Sequence, residues 1–261
     1  MGHTRLGELP ATRNWRQVVS LLDGGGDTAQ IALATADAAE RGLALADSDE
    51  GLAYSFFLLT QVPLAAKSDD FAAALKDLGV SVSGDPSLFD LAGGIAEAVA
   101  VHARQTGRKT DIGEMARLAA VESLVAVCRR RPKDLFLSET EDVRRTLAEH
   151  ATPTRFSTLA HEYFSRFLGR FLTYHLSREL SMHVGPGRRR FKSIPEHNEF
   201  KNALELHCRQ TAKIVQTFAG GWHSKTNYES GITLRKAGNF VHVALSKMIA
   251  ELEKRGGADD S

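Results

Sequence analysis

The 261 residues, 43% hydrophobic and 25% charged, fit one large domain or two small ones and supply ample core material. No apolar run reaches the roughly 18–20 residues that cross a bilayer, and two isolated cysteines, Cys128 and Cys208, exclude a disulfide framework or a CxxC zinc site. The net charge of +1 hides an asymmetry: 12 Lys/Arg stand against 17 Asp/Glu in residues 1–130, and 21 against 15 in the remainder.

The start, MGHTRLGELPATRNW, is polar, has no signal-peptide core and lacks the hydroxyl residue that a myristoylated Gly2 needs at position 6, so a reducing cytoplasmic location is expected. From there the pattern is helical almost throughout. Trp15, Val18, Val19 and Leu22 make one stripe over Arg13 to Asp23. DGGGD at 23–27 breaks it, and Asp27 caps an Ala-rich helix reaching Ala46. Ser48 starts a third helix, which Pro63 should kink or stop. Ser68 starts a fourth, closed by Gly79. VSVSG at 80–84 is the one strand-like stretch, too short for a sheet. Asp85-Pro86 reads as a helix start running to Gln105, and Asp111 to Arg130 is the next helix. Pro132 and the capping box Ser138-x-x-Glu141 mark an internal boundary. It divides an acidic helical half, residues 1–131, from a basic helical half, residues 132–255. Thr152-Pro153 opens the longest helix, ending at Gly185. GPGRRRFK follows as a basic turn. Ser193-x-x-Glu196 caps a helix ending at Ala219, where Gly220 and Gly221 should release a loop. A last helix covers Leu234 to Arg255, and residues 256–261 form a disordered tail. The expected fold is all-α, a bundle of roughly ten helices with no substantial sheet.

The longest helix carries an aromatic stripe, Phe156, Leu159, Tyr163, Phe164, Phe167, Phe171 and Leu172, which reads as core. His175, Glu179 and His183 share a face, but the two imidazoles lie roughly 12 Å apart at 1.5 Å per residue and cannot hold one metal ion unaided. No P-loop, nucleophile elbow or metal-nuclease acid cluster is present, and no cofactor is expected. Cys208 follows His207 directly, so their side chains diverge and form no dyad. Arg188, Arg189, Arg190 and Lys192 can grip phosphates or an acidic partner. FAGGWHSKTN presents Trp222, His223, Lys225 and Asn227. A catalytic base there lacks an orienting carboxylate nearby, whereas a docking loop needs only an amphipathic anchor with hydrogen-bonding neighbours.

Three stretches, RTLAEH, RFLTYH and RELSMH, read R-x4-H. The pattern resembles that of HEPN-type ribonucleases, small all-α proteins of prokaryotic toxin and defence systems. The resemblance implies Arg170, His175, Arg178 and His183 as an alternative catalytic set, with His as acid or base and Arg on the phosphorane charge. LPATRNWRQVV and FAGGWHSKTNYESGIT look like segments of uncharacterised helical proteins encoded beside ATPases and nucleases in bacterial anti-phage defence islands. That resemblance implies a non-enzymatic accessory subunit, whose partners are other protein subunits of the same system, with nucleic acid as a further partner through the basic turn.

Overall fold

A computed structural model of the chain describes residues 13–39, 46, 48–130, 138–185 and 190–256, and within them eleven helices. These are α1 (Arg13–Gly24), α2 (Thr28–Ala38), α3 (Glu50–Ala65), α4 (Phe71–Asp77), α5 (Leu88–Gln105), α6 (Asp111–Arg129), α7 (Glu139–Glu149), α8 (Pro153–Met182), α9 (Ile194–Thr211), α10 (Lys213–Ser230) and α11 (Leu234–Gly256). Among the described residues the only extended pairing is one bridge between Val184 and Phe191, so the all-α expectation holds. No described helix is long and apolar enough to cross a membrane. Most of the RRRPKDLFLSE boundary and the last five residues lie outside the described residues.

Helix starts follow side-chain oxygens that reach the third residue onward. Asp27 and Ser138 cap α2 and α7 in reciprocal boxes with Gln30 and Glu141, as their spacing predicts. Ser193 likewise caps α9 where expected, and at three other starts the cap lies a residue or two from the expected one. Asp49, Asp70 and Ser87 take the roles expected of Ser48, Ser68 and Asp85. Ser87 wins because Asp90 accepts its backbone N–H in return, a partner that Asp85 lacks. Pro63 sits inside α3, which ends two residues later.

The long helix α8 is the axis of the bundle, with α6, α9 and α10 laid along it. Its stripe from Phe156 to Leu172 has no exposed surface. Phe56 of α3 meets this stripe and stacks on Phe240 of α11, ring centroids 4.9 Å apart. Burying each such ring contributes roughly 2–3 kcal/mol. One cluster of buried residues runs from Val18 to Leu252, so the acidic and basic halves share a single core.

Two close helix approaches explain three glycines. A Cβ on Gly51 would lie 2.8 Å from Gly113 Cα, so α3 and α6 cross where neither has a side chain. Beside that crossing, Thr110 Oγ1 donates to Asp49 Oδ2 at 2.7 Å, joining the caps of the two helices. A Cβ on Gly220 would meet the Pro153 carbonyl oxygen at 2.4 Å.

That second approach corrects the sequence reading of FAGGWHSKTN. Gly220 and Gly221 do not end a helix: both lie inside α10, neither has positive φ, and the helix runs on to Ser230, where Gly231 turns at φ 73°. The glycine serves contact with the start of α8, a partner that the local sequence does not reveal. The helix break falls earlier, at Ala212, which keeps α-helical dihedrals and carries no capping side chain.

Candidate functional site

The chain places a carboxylate where carboxylates are rare. Glu162 of α8 has no exposed surface, yet it accepts from three arginines of three different segments. Arg130 follows α6 and reaches Oε1 through Nη1 at 2.6 Å. Arg166, one turn along α8, binds Oε2. Arg209 of α9 spans both oxygens, with Nη1 3.4 Å from Oε2. Burial alone would raise the carboxyl pKa; hydrogen bonds from Arg130 and Arg166 and the charges of Arg166 and Arg209 lower it to about 2. The group is therefore an anion at any ordinary pH.

Neighbours fix the geometry further. His161 Nε2 lies 2.8 Å from the Arg209 carbonyl oxygen, which can only accept, so this nitrogen carries the proton. Burial lowers the His161 pKa, the Arg209 bond opposing it. Further along α8, Arg170 pairs with Glu122 of α6, and Tyr174 donates its hydroxyl to Asp111 Oδ2 at 2.9 Å. Glu162, Arg166, Arg170 and Tyr174 are each four residues apart and therefore share one helix face. Lys201, Glu205 and Arg209 repeat the spacing on α9. Arg166, Arg170 and Tyr174 line one groove of about 680 Å³ together with these α9 residues.

The residues singled out from the sequence are dispersed. Trp222 does not stand on a loop; it lies half-buried on α10, its ring centroid 4.3 Å from that of Phe240. His223 is buried and stacks on Phe156 at 4.0 Å, so it is core and not a docking group. Burial lowers its pKa to about 4, against a backbone interaction with Thr60. Lys225 and Asn227 are exposed, Lys225 lying 3.9 Å from Glu229. The residue that sequence reasoning missed beside them is Tyr228, 92% exposed. Helical spacing from Lys225 would have found it, had the segment been read as helix.

In the basic turn, Arg188 and Arg189 lie outside the described residues. Arg190 turns inward instead of outward. Its guanidinium donates to the carbonyls of Leu21, Leu22 and Gly26, at 2.6 Å for Gly26, and sits over the Phe200 ring. It satisfies the C-terminal carbonyls of α1 and is not a phosphate contact. Lys192 stays exposed.

Of the R-x4-H pairs, Arg170 and His175 do not share a surface. Arg170 faces the groove, whereas His175 is buried against Phe171 and Tyr174, and burial lowers its pKa to about 4. His183 Nδ1 lies 3.4 Å from Asp23, and the Arg178 side chain is outside the described set. His150 is buried with Nδ1 2.8 Å from the Thr146 carbonyl. Among the described residues no three metal-ligating side chains come together. Comparison of the chain with protein-family models, with curated proteins and with solved structures returned no match.

Proposed function

We propose that this chain is a non-enzymatic helical adaptor, an accessory subunit of a bacterial multi-protein system. Anti-phage defence is the setting implied by the resemblance of its two terminal segments. The observation that carries the reading is the last turn of α10. There Tyr228 is almost wholly exposed one turn from Lys225, with Asn227 exposed on the adjoining side of the helix, and the body of the helix packs against α8. A rigid helix end with an amphipathic ring and two polar neighbours has the composition of an interface anchor. The docking set is thus Lys225, Asn227 and Tyr228, with Trp222 and His223 supporting it from the core side.

The reactive side chains lend support from the opposite direction. Burial pushes the Cys128 and Cys208 thiols up to about 12, so neither is a useful thiolate at neutral pH. The test is co-purification of the tagged protein from its own cell, with identification of bound proteins by mass spectrometry. Tyr228→Ala combined with Lys225→Glu should lose a protein that the wild type retains, with helicity unchanged. Equal recovery by both proteins sinks the docking surface.

A further inference from the structure

We propose that the groove between α6, α8 and α9 binds the phosphate of a nucleotide unit, with the base laid against Tyr174. The inference is independent of the docking surface at the end of α10 and stands on charge, saturation and preorganisation.

Glu162 receives Arg130 Nη1, Arg166 Nη1 and both terminal nitrogens of Arg209. A carboxylate offers about four acceptor sites, so this one is saturated. Three guanidiniums carry five N–H groups each, and the two carboxylates beside them, Glu162 and Glu122 at 4.0 Å from Arg166, leave a positive charge unbalanced. Of the three, Arg166 and Arg209 line the groove, with side-chain exposures of 25% and 40%, whereas Arg130 lines a separate pocket. The groove itself is lined by Arg166, Arg170, Lys201 and Arg209 against Glu122 and Glu205. A second anion is the ligand that this imbalance suits, and planar guanidiniums match phosphate oxygens.

The arginines are set before any ligand arrives. Arg209 is held at its side chain by Glu162 and at its carbonyl by His161. Arg166 is held by the carboxylate and the backbone carbonyl of Glu162. Fixed donors lose less side-chain freedom on binding, which favours the complex. Tyr174 completes the seat. It is 39% exposed, and its hydroxyl bond to Asp111 holds the ring at the groove. A base can stack on such a ring whatever its identity. Asn202 and Glu205 of α9 supply polar partners for a base edge. A volume of about 680 Å³ lies within the range of small-molecule sites.

The test uses the full chain and two probes: a short fluorescein-labelled single-stranded oligodeoxynucleotide, read by anisotropy, and unlabelled adenosine monophosphate as competitor. Saturable binding is expected, weakening as salt rises. Lys201→Glu should weaken it by about tenfold or more, since it reverses a charge in the groove without touching the Glu162 cluster. Tyr174→Leu, which keeps bulk but removes the flat ring, should weaken it roughly fivefold. Lys76→Glu, at an exposed position of α4 that does not line the groove, changes the net charge equally and should bind as the wild type. Displacement by adenosine monophosphate identifies a free nucleotide as sufficient; oligonucleotide binding that it does not displace identifies a strand. The proposal is overturned if neither probe binds saturably, or if Lys201→Glu and Lys76→Glu weaken binding equally. Wild-type affinity in Tyr174→Leu overturns the base seat.

Discussion

Two regions of α8 bury polar groups in opposite ways. On one face Glu162 is enclosed with more donors than it can use, and it stays charged. Near the start of the same helix, Phe156 stacks on His223, whose ring nitrogens make no close hydrogen bond among the described residues. That imidazole is buried by staying neutral. The comparison teaches how a helix tolerates polarity inside a core: either the charge is matched on every side, or the group gives its charge up. The first solution ties distant segments together. The second makes the fold dependent on pH.

The largest effect should come from unmatching the charge. Glu162→Ala leaves three guanidiniums facing one another, and a loss of about 3 kcal/mol or more is expected in urea denaturation. Added salt should recover part of it, because these arginines are partly exposed and screening weakens their repulsion. Phe156→Ala, on the neutral side, should cost about the same through a cavity, roughly 3–5 kcal/mol, with no salt recovery. A salt-insensitive Glu162→Ala would erase the distinction between the two regions.

Acid should separate them next. His175 and His223 have folded pKa values lowered to about 4 from 6.5, so the unfolded chain takes up their protons first. Stability is therefore full above about pH 6.5 and falls as pH drops towards 4, by on the order of 3 kcal/mol for each histidine. Glu162, lowered to about 2 from 4.5, stabilises above its unfolded value and loses that contribution as pH falls from about 4.5 towards 2. Melting temperature measured against pH should show both windows. His223→Gln should reduce the upper one by about half, leaving the His175 share, and leave the lower intact.

Smaller effects distinguish the half-buried ring from the exposed one. Trp222→Ala should cost about 2 kcal/mol, since the ring is half-buried on Phe56 and Phe240. Tyr228→Ala should change stability by less than about 0.5 kcal/mol. A large loss at Tyr228 would place it in a contact that the exposed helix end does not show.

The sequence announces some of this and conceals the rest for definite reasons. Capping residues are local, so Asp27, Ser138 and Ser193 are legible where they stand. The aromatic stripe is legible because a period near four survives any tertiary arrangement. Gly220 is not legible: glycine marks both turns and close approaches, and the approaching Pro153 is far away in the chain. The α8 half of the groove lies open in the spacing of Glu162, Arg166, Arg170 and Tyr174. Its other half comes from Lys201, Glu205 and Arg209 of α9, and Arg209 stands 47 residues from the Glu162 it binds, which no local pattern connects. The exposed Tyr228 is hidden by the same error that makes α10 a loop.

The pairing of Phe56 with Phe240 and the seat of Arg190 on α1 bear on the order in which the chain can become a structure. During synthesis α1 emerges long before Arg190 exists to satisfy its last carbonyls. Likewise α2 and α3 emerge without α11, the helix that covers them. The early helices must wait with apolar faces open until nearly the whole chain has left the ribosome. Contacts of such sequence separation slow folding and lengthen the time in which exposed surfaces can meet one another. For this molecule the vulnerable period is the interval between the appearance of Phe56 and that of Phe240, and a holdase acting in that interval would find its substrate in α3.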